Sequence, residues 1–422
     1  MCQTPISMLP DELLLMIFEL LIPRFLFNQS DGYAITIEKL CAVCRRFNRL
    51  ATPLRYRTII INPLQQARKK GLYRVDPSYR RFCRNIRLSI MESSLGPSMS
   101  KADWLIAADF FAGCTNVRCL EIRGGFEQYK QELWDFIGNL LKHMRGLQQI
   151  SFAGHGRLLL PHLMRFIDAA SLHDLQDLSV HGVVDRREGS APVPHWNRNK
   201  ASFTTLKVSN YEEDPAATIR LIRWSRELHH FQFASFYNYY YMDLKMFEGW
   251  LRDHKDSLQT IDIGCLSKSG IICDVSQFPK LTSLSLSRWS FSDELESPES
   301  DALCLLAPNL KRFTWDFSTW DQCGDPWNGI GEREERWLEG FVKVASLRSS
   351  PLEGINIIFR PDYWGTRKED GYPWDRLERV KERCRPLGIS LEYNTPGVSK
   401  EAWLKHTEDF EETYGRRSRE GE

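Results

Sequence analysis

The residues with the strongest claim to chemistry are cysteines and histidines, and their spacing decides what they can do. Cys41 and Cys44 form a C-x-x-C pair, the arrangement of a dithiol redox centre or of half a zinc site. A zinc site needs a second pair at matching spacing, and none follows. Both residues fall on the apolar side of a helical run, which suits buried core thiols. Cys265 and Cys273 are too far apart to form one chelating knuckle. His155 and His162, and the adjacent His229 and His230, lack cysteine or carboxylate companions at ligand spacing. The motifs G-x-x-x-x-G-K-[ST], G-x-G-x-x-G, G-x-S-x-G and H-E-x-x-H do not occur. The sequence therefore nominates no catalytic group, metal or cofactor, and a binding role is the expectation.

Composition narrows the class of partner. The 422 residues carry 56 Lys and Arg against 55 Asp and Glu, a formal net charge of +1, so no global field favours nucleic acid or an anionic membrane. A hydrophobic content of 42% and an aromatic content of 12% support folded cores rather than disorder. The 11 cysteines are odd in number and follow no framework of spacings, as expected for reduced thiols in the cytoplasm or nucleus. No basic region with a small-residue cleavage site opens the chain, and Leu13–Leu21 is too short to span a bilayer.

The elements that must position any binding surface begin with the stretch from Met8 to Thr58. Leu9 and Pro10 open a helix, Pro10 at a first position where its missing N–H costs nothing, and Asp11 and Glu12 face the positive end of the helix dipole. Leu13, Ile17 and Leu20 line one face while Leu14, Phe18 and Leu21 line another. A second helical run carries Ile37, Leu40, Val43, Cys44, Phe47 and Leu50, with Arg45, Arg46 and Arg49 between them. So short a unit cannot bury all these side chains in itself, and part of its apolar surface awaits other protein.

Leu-Pro, an acidic first turn, a Leu/Ile/Phe helix and then Leu40, Val43, Cys44, Arg45, Arg46, Phe47 and Leu50 together resemble an F-box. The trailing LATPLRYRTI is similar to the end of many fungal F-box proteins, and the connection Pro23–Thr36 is longer than that family's usual link. The resemblance implies a three-helix unit that docks onto the Skp-family adaptor, and through it a cullin ubiquitin ligase. Leu9, Pro10, Leu13, Ile17, Leu40, Val43 and Phe47 would face the adaptor or hold the helices that do. The alternative is a helical cap on the next domain, with the same residues as core.

Beyond it the pattern apolar-x-x-apolar-x-apolar recurs. Its members include Val117/Leu120/Ile122, Leu147/Ile150/Phe152, Leu175/Leu178/Val180, Phe203/Leu206/Val208, Leu228/Phe231/Phe233 and Leu258/Ile261/Ile263. They continue through Leu281/Leu284/Leu286, Leu310/Phe313/Trp315 and Leu352/Ile355/Ile357 to a last strand at Ile389 and Leu391. The members recur about every 23–30 residues, with one longer step before Ile355, and helical periodicity fills the segments between them. A strand and a helix in each unit bury their apolar sides only by stacking on neighbours. This half resembles the degenerate leucine-rich repeats behind fungal F-boxes, without the regular Asn or Cys after each strand.

The expected fold is therefore α/β: residues 1–62 as the helical unit, 63–112 as linker and capping strand, and 113–395 as an irregular solenoid with a parallel concave sheet and outer helices. Loop insertions fall near 185–201 and 316–335, and 396–422 reads as a tail with a helix at Lys400–Phe410. A doubly wound α/β domain is the rival fold. Alternation along each strand turns every second residue to solvent, which nominates Glu121, Arg123, His181, Lys207, Gln232, Asp262 and Asp316 as target-binding, joined by Tyr239 and Tyr240 of an aromatic cluster. Their mixed charge suits an unknown protein substrate better than nucleic acid or membrane. A repeat scaffold outside any ligase and an α/β enzyme with an untyped cleft are the other functional readings.

Overall fold

The computed structural model describes residues 6–21, 30–61, 77–90, 109–124, 131–153, 160–182, 200–210, 215–234, 242–266, 271–292, 295, 297–318, 329–361 and 371–419. It divides into two compact units, Met1–Val180 and His181–Glu422. The α/β class is as expected, and every strand register in both units is parallel.

In the first unit a helix α1 (Asp11–Leu21) is followed by α2 (Ser30–Val43) and α3 (Arg45–Arg55). Helix α1 begins one residue later than the sequence suggests: Pro10 supplies the first accepting carbonyl, to Leu14 N–H at 3.1 Å, and so precedes the helix. Helix α2 starts at Ser30 and so takes in the second half of what reads as a long connection. The single second helical run is two helices because Cys44 is extended (φ −162°) and caps α3, its Sγ accepting the Phe47 N–H at 3.4 Å. Leu14, Phe18, Ile37, Phe47, Leu50, Ala51 and Leu54 form the shared core, with the Phe18 and Phe47 rings edge to face at 5.0 Å.

Helix α3 runs almost directly into β1 (Thr58–Ile61), and β2 (Asn85–Ile90), β3 (Cys119–Gly124), β4 (Gln149–Ala153) and β5 (Asp177–His181) follow in spatial order. A short helix α4 (Pro77–Arg80) stacks Tyr79 on Tyr56 at 4.6 Å, tying the helical end to the first strands. Two rows fill the inward face: Ile86, Leu120 and Ile150, then Leu88, Ile122 and Phe152, all buried. Helices α5 (Gln131–His143) and α6 (Leu160–Ala170) connect the strands.

The second unit repeats the scheme through β6 (Thr205–Ser209), β7 (His230–Ala234), β8 (Thr260–Ile263), β9 (Ser283–Ser287), β10 (Arg312–Asp316), β11 (Gly354–Ile358) and β12 (Ser390–Tyr393), in that spatial order. One inward row is Leu206, Phe231, Ile261, Leu284, Phe313, Ile355 and Leu391. The other is Val208, Phe233, Ile263, Leu286, Trp315 and Ile357, of which Val208 is the most exposed at 3%. Between the strands lie α7 (Pro215–Trp224), α8 (Leu244–Leu251), α9 (Pro298–Leu305), α10 (Glu332–Leu347) and α11 (Pro373–Cys384). A Cβ at Gly340 would come within 2.7 Å of Pro298, so α9 and α10 approach each other across a residue that must be small.

Two further boundaries differ from the reading of the sequence. The segment 316–335 is not loop to its end: α10 starts at Glu332, its Glu334 carboxylate accepting the Gly331 N–H at 2.9 Å. The C-terminal helix α12 continues past Phe410, spanning Lys400–Arg419, anchored by buried Trp403 against Trp374. Most of 185–201 lies outside the described residues.

Helix α10 is also held by charge. Arg288 is fully buried; its Nε and Nη2 donate to Glu334 Oε1 at 3.1 and 2.9 Å, and its Nη1 to the Ser292 carbonyl at 2.9 Å. Glu334→Leu leaves that guanidinium buried without its counter-charge, and should cost about 3–5 kcal/mol. Glu332→Gln, which removes only an exposed pair with Arg336, should leave the unfolding midpoint unchanged. Urea unfolding followed by tryptophan fluorescence checks both.

Candidate docking surfaces

The first surface is on α1. Leu14 and Phe18 point into the helical core, while Leu13 (45% exposed), Met16 (58%), Leu20 (72%) and Leu21 (51%) point to water. Leu13, Met16 and Leu20 follow one helical stripe at i, i+3 and i+7. Val43, at the end of α2, is 63% exposed. Of the seven residues nominated from sequence, Pro10, Leu13 and Val43 are exposed, Leu9, Ile17 and Leu40 are half-buried against the core, and Phe47 is buried within it. The sequence reading left Met16, Leu20 and Leu21 out of the site, although helical spacing from Leu13 reaches them.

The start of α1 is fastened to α3. Arg46 Nε donates to Asp11 Oδ1 at 2.7 Å and its Nη2 to the Leu9 carbonyl at 2.5 Å, while Arg49 reaches Asp11 Oδ2 at 2.5 Å. The Leu9-Pro10-Asp11 segment is thus oriented by two arginines from a helix 35 residues or more away. Charge-assisted bonds of this kind set direction as well as energy.

The second surface is the polar side of the strands. In the first unit Glu121 bonds Arg87 at 2.7 Å and also Arg123, so two nominated residues and one further arginine form a closed cluster. A cross-strand chain runs from Cys119 Sγ to Gln149 Oε1 (3.1 Å) and from Gln149 Nε2 to Asp177 Oδ2 (2.6 Å). In the second unit Lys207, Gln232, Asp262, Ser285, Thr314, Asn356 and Glu392 form one row across the strands. Gln232 donates to Asp262 at 2.9 Å. Asp316 lies in the next row and accepts the Ser318 N–H at 2.8 Å; burial pushes its carboxyl up from the usual range, and nearby Asp262 adds to the shift. His181 sits 2.7 Å from Ser209 Oγ. Tyr239 and Tyr240 lie outside the described residues.

The cysteine pair is corrected by the geometry. Cys41 is half-buried, but Cys44 is exposed, because the break between α2 and α3 turns it outwards to cap a helix. His229 and His230 diverge: His229 lies 3.2 Å from Glu227 and His230 2.9 Å from Thr260. Among the described residues no three His, Cys, Asp or Glu side chains come together in a group able to hold a metal ion, and no helix is long and apolar enough to cross a membrane.

The exposed and buried sides of α1 should separate experimentally. Phe18→Ala removes a core ring and should cost about 3–5 kcal/mol. Leu20→Ser should leave the thermal midpoint of the protein within the scatter of replicate scans, as monitored by circular dichroism. Comparison of the chain with known protein families and with curated proteins returns no match.

Proposed function

We propose that the protein is the substrate-recruiting subunit of a Skp–cullin–F-box ubiquitin ligase. The observation that carries this reading is the stripe Leu13, Met16 and Leu20, with Leu21 beside it: apolar side chains held in water by a helix whose inward side already fills its core. Covering such a stripe gains about 25 cal/mol for each Å² of apolar surface removed from water. In this reading Leu13, its stripe neighbours, Pro10 and Val43 touch the adaptor. Leu9, Ile17, Leu40 and Phe47 hold the helices that present them.

The strand–helix units are read as irregular leucine-rich repeats forming a solenoid, parallel strands on the concave side and helices outside. Its polar strand face receives a target protein. The chain contributes no catalytic residue and takes no cofactor; it works in the cytoplasm or nucleus by proximity, raising the local concentration of target lysines near a charged ubiquitin carrier.

Coexpression with a Skp-family adaptor tests the reading. The parent chain should copurify with the adaptor in stoichiometric amount. The double variant Leu13→Asp, Leu20→Asp should lose at least about tenfold in affinity, since two charges enter a dry interface, while its unfolding midpoint is unchanged. A folded double variant that binds the adaptor as well as the parent, or a parent that does not bind, excludes adaptor docking. A parent that binds targets but no adaptor would instead be a scaffold outside any ligase.

A further inference from the structure

We infer that the outer edge of β12 is a docking site for an extended, acidic segment of another protein. Strand β12 is last in the sheet order and, among the described residues, pairs only with β11, Gly354 to Ser390 through Ile357 to Tyr393. In a parallel ladder the N–H and C=O of one residue turn to the same side. Ser390 N–H donates to the Glu353 carbonyl at 3.0 Å, so Ser390 and Glu392 serve the β11 side. Leu391 and Tyr393 therefore direct their main-chain groups away from the sheet. Proteins usually blunt such an edge with proline, a bulge or a covering element. The edge residues, Ser-Leu-Glu-Tyr, contain no proline, and an open groove of about 800 Å³ runs along them.

The groove selects its occupant by charge. One wall consists of Lys381 from α11 and Arg385 from the turn that follows it. Lys381 is partly committed: its Nζ lies 5.3 Å from the Tyr393 ring centroid and 3.5 Å from Glu378. Arg385 is exposed and makes no ion pair among the described residues. Glu392 also borders the groove, but it belongs to the polar row with Asn356, on the face opposite buried Leu391. An added strand thus meets an uncompensated guanidinium on its α11 side and a carboxylate on its other side. The fitting segment alternates, with acidic residues facing α11 and uncharged ones facing away. A second copy of β12 fits poorly, because antiparallel pairing would place Arg385 on the same side of the sheet as the Arg385 of the copy. The site lies in the second unit and does not rest on the adaptor reading.

The probe is a fluorescein-labelled peptide, Ser-Glu-Thr-Glu-Thr-Glu-Ser, measured by fluorescence anisotropy on the full chain. It should bind saturably. A version with Lys for Glu should not bind, and one with Pro for the central Glu should bind at least about tenfold more weakly, having lost a ladder donor. Arg385→Glu, at an exposed side chain without a partner among the described residues, should also weaken the acidic peptide at least about tenfold with an unchanged unfolding midpoint. No binding up to about 1 mM, equal binding of the acidic and lysine peptides, or an unaffected Arg385→Glu variant would overturn the assignment. So would concentration-dependent dimerisation that the peptide competes away, which would give the edge to a second copy.

Discussion

Both units depend on one repeated hydrogen-bond device. A main-chain carbonyl just before one strand accepts two successive N–H groups at the start of the next: Arg57 from Arg84 and Asn85, Arg84 from Arg118 and Cys119, Arg118 from Gln148 and Gln149. The same fork recurs at Thr204, His229, Gln259, Thr282 and Lys311. Each fork fixes where the following strand starts. With a side-chain period of two, that start decides which residues face inwards. A slip of one residue would place Lys207, Gln232 and Asp262 where Leu206, Phe231 and Ile261 now lie buried. Because the forks set the register, the helices between strands are free to vary in length, from the four residues of α4 to the sixteen of α10.

This arrangement explains what was legible in the sequence. The strands could be read because each inward position is apolar at a fixed offset from its fork. The first member was harder to see, since Cys83-x-x-Ile86-x-Leu88 puts a cysteine where leucine or valine stands elsewhere. Cys83 is fully buried, its Sγ 3.5 Å from the Asn85 carbonyl, and contact with Cys114 together with burial holds its thiol well above the ordinary range. The helical region was less legible for a different reason. Between Leu13 and Leu21 apolar residues occur all round the helix, so periodicity cannot say which side faces the core. The decision belongs to tertiary contacts: Phe18 meets Phe47, and the Arg46–Asp11 bond sets the rotation at which α1 docks. The break at Cys44 was hidden because its apolar pattern continues across both helices.

The polar strand face shows why the charges most visible in sequence are poor guides to recognition. Glu121 is already shared between Arg87 and Arg123, and Gln232 is committed to Asp262. A partner that engaged them would first break bonds already made, so their net contribution to binding would be small. Lys207 and Asn356, in the same row, are exposed and make no hydrogen bond or ion pair to another side chain among the described residues, and so carry no such cost.

The same accounting locates the uncompensated charge at the end of the second unit. Glu335 of α10 is nearly buried and receives Arg379 at 3.0 Å and Arg376 at 3.1 Å from α11; despite its burial, these bonds hold its carboxyl below the usual range. Arg383 pairs with Glu339 on the same helix. These contacts absorb the basic residues on the α10 side of α11 and fix that helix against its neighbour. Its remaining cations, Lys381 and the following Arg385, therefore stand at the β12 edge on a support that cannot easily swing away. Pre-placing a charge in this way removes the ordering cost from any segment that binds there. The edge of β12 is thus backed by rigid packing on one side and left open in main-chain hydrogen bonding on the other.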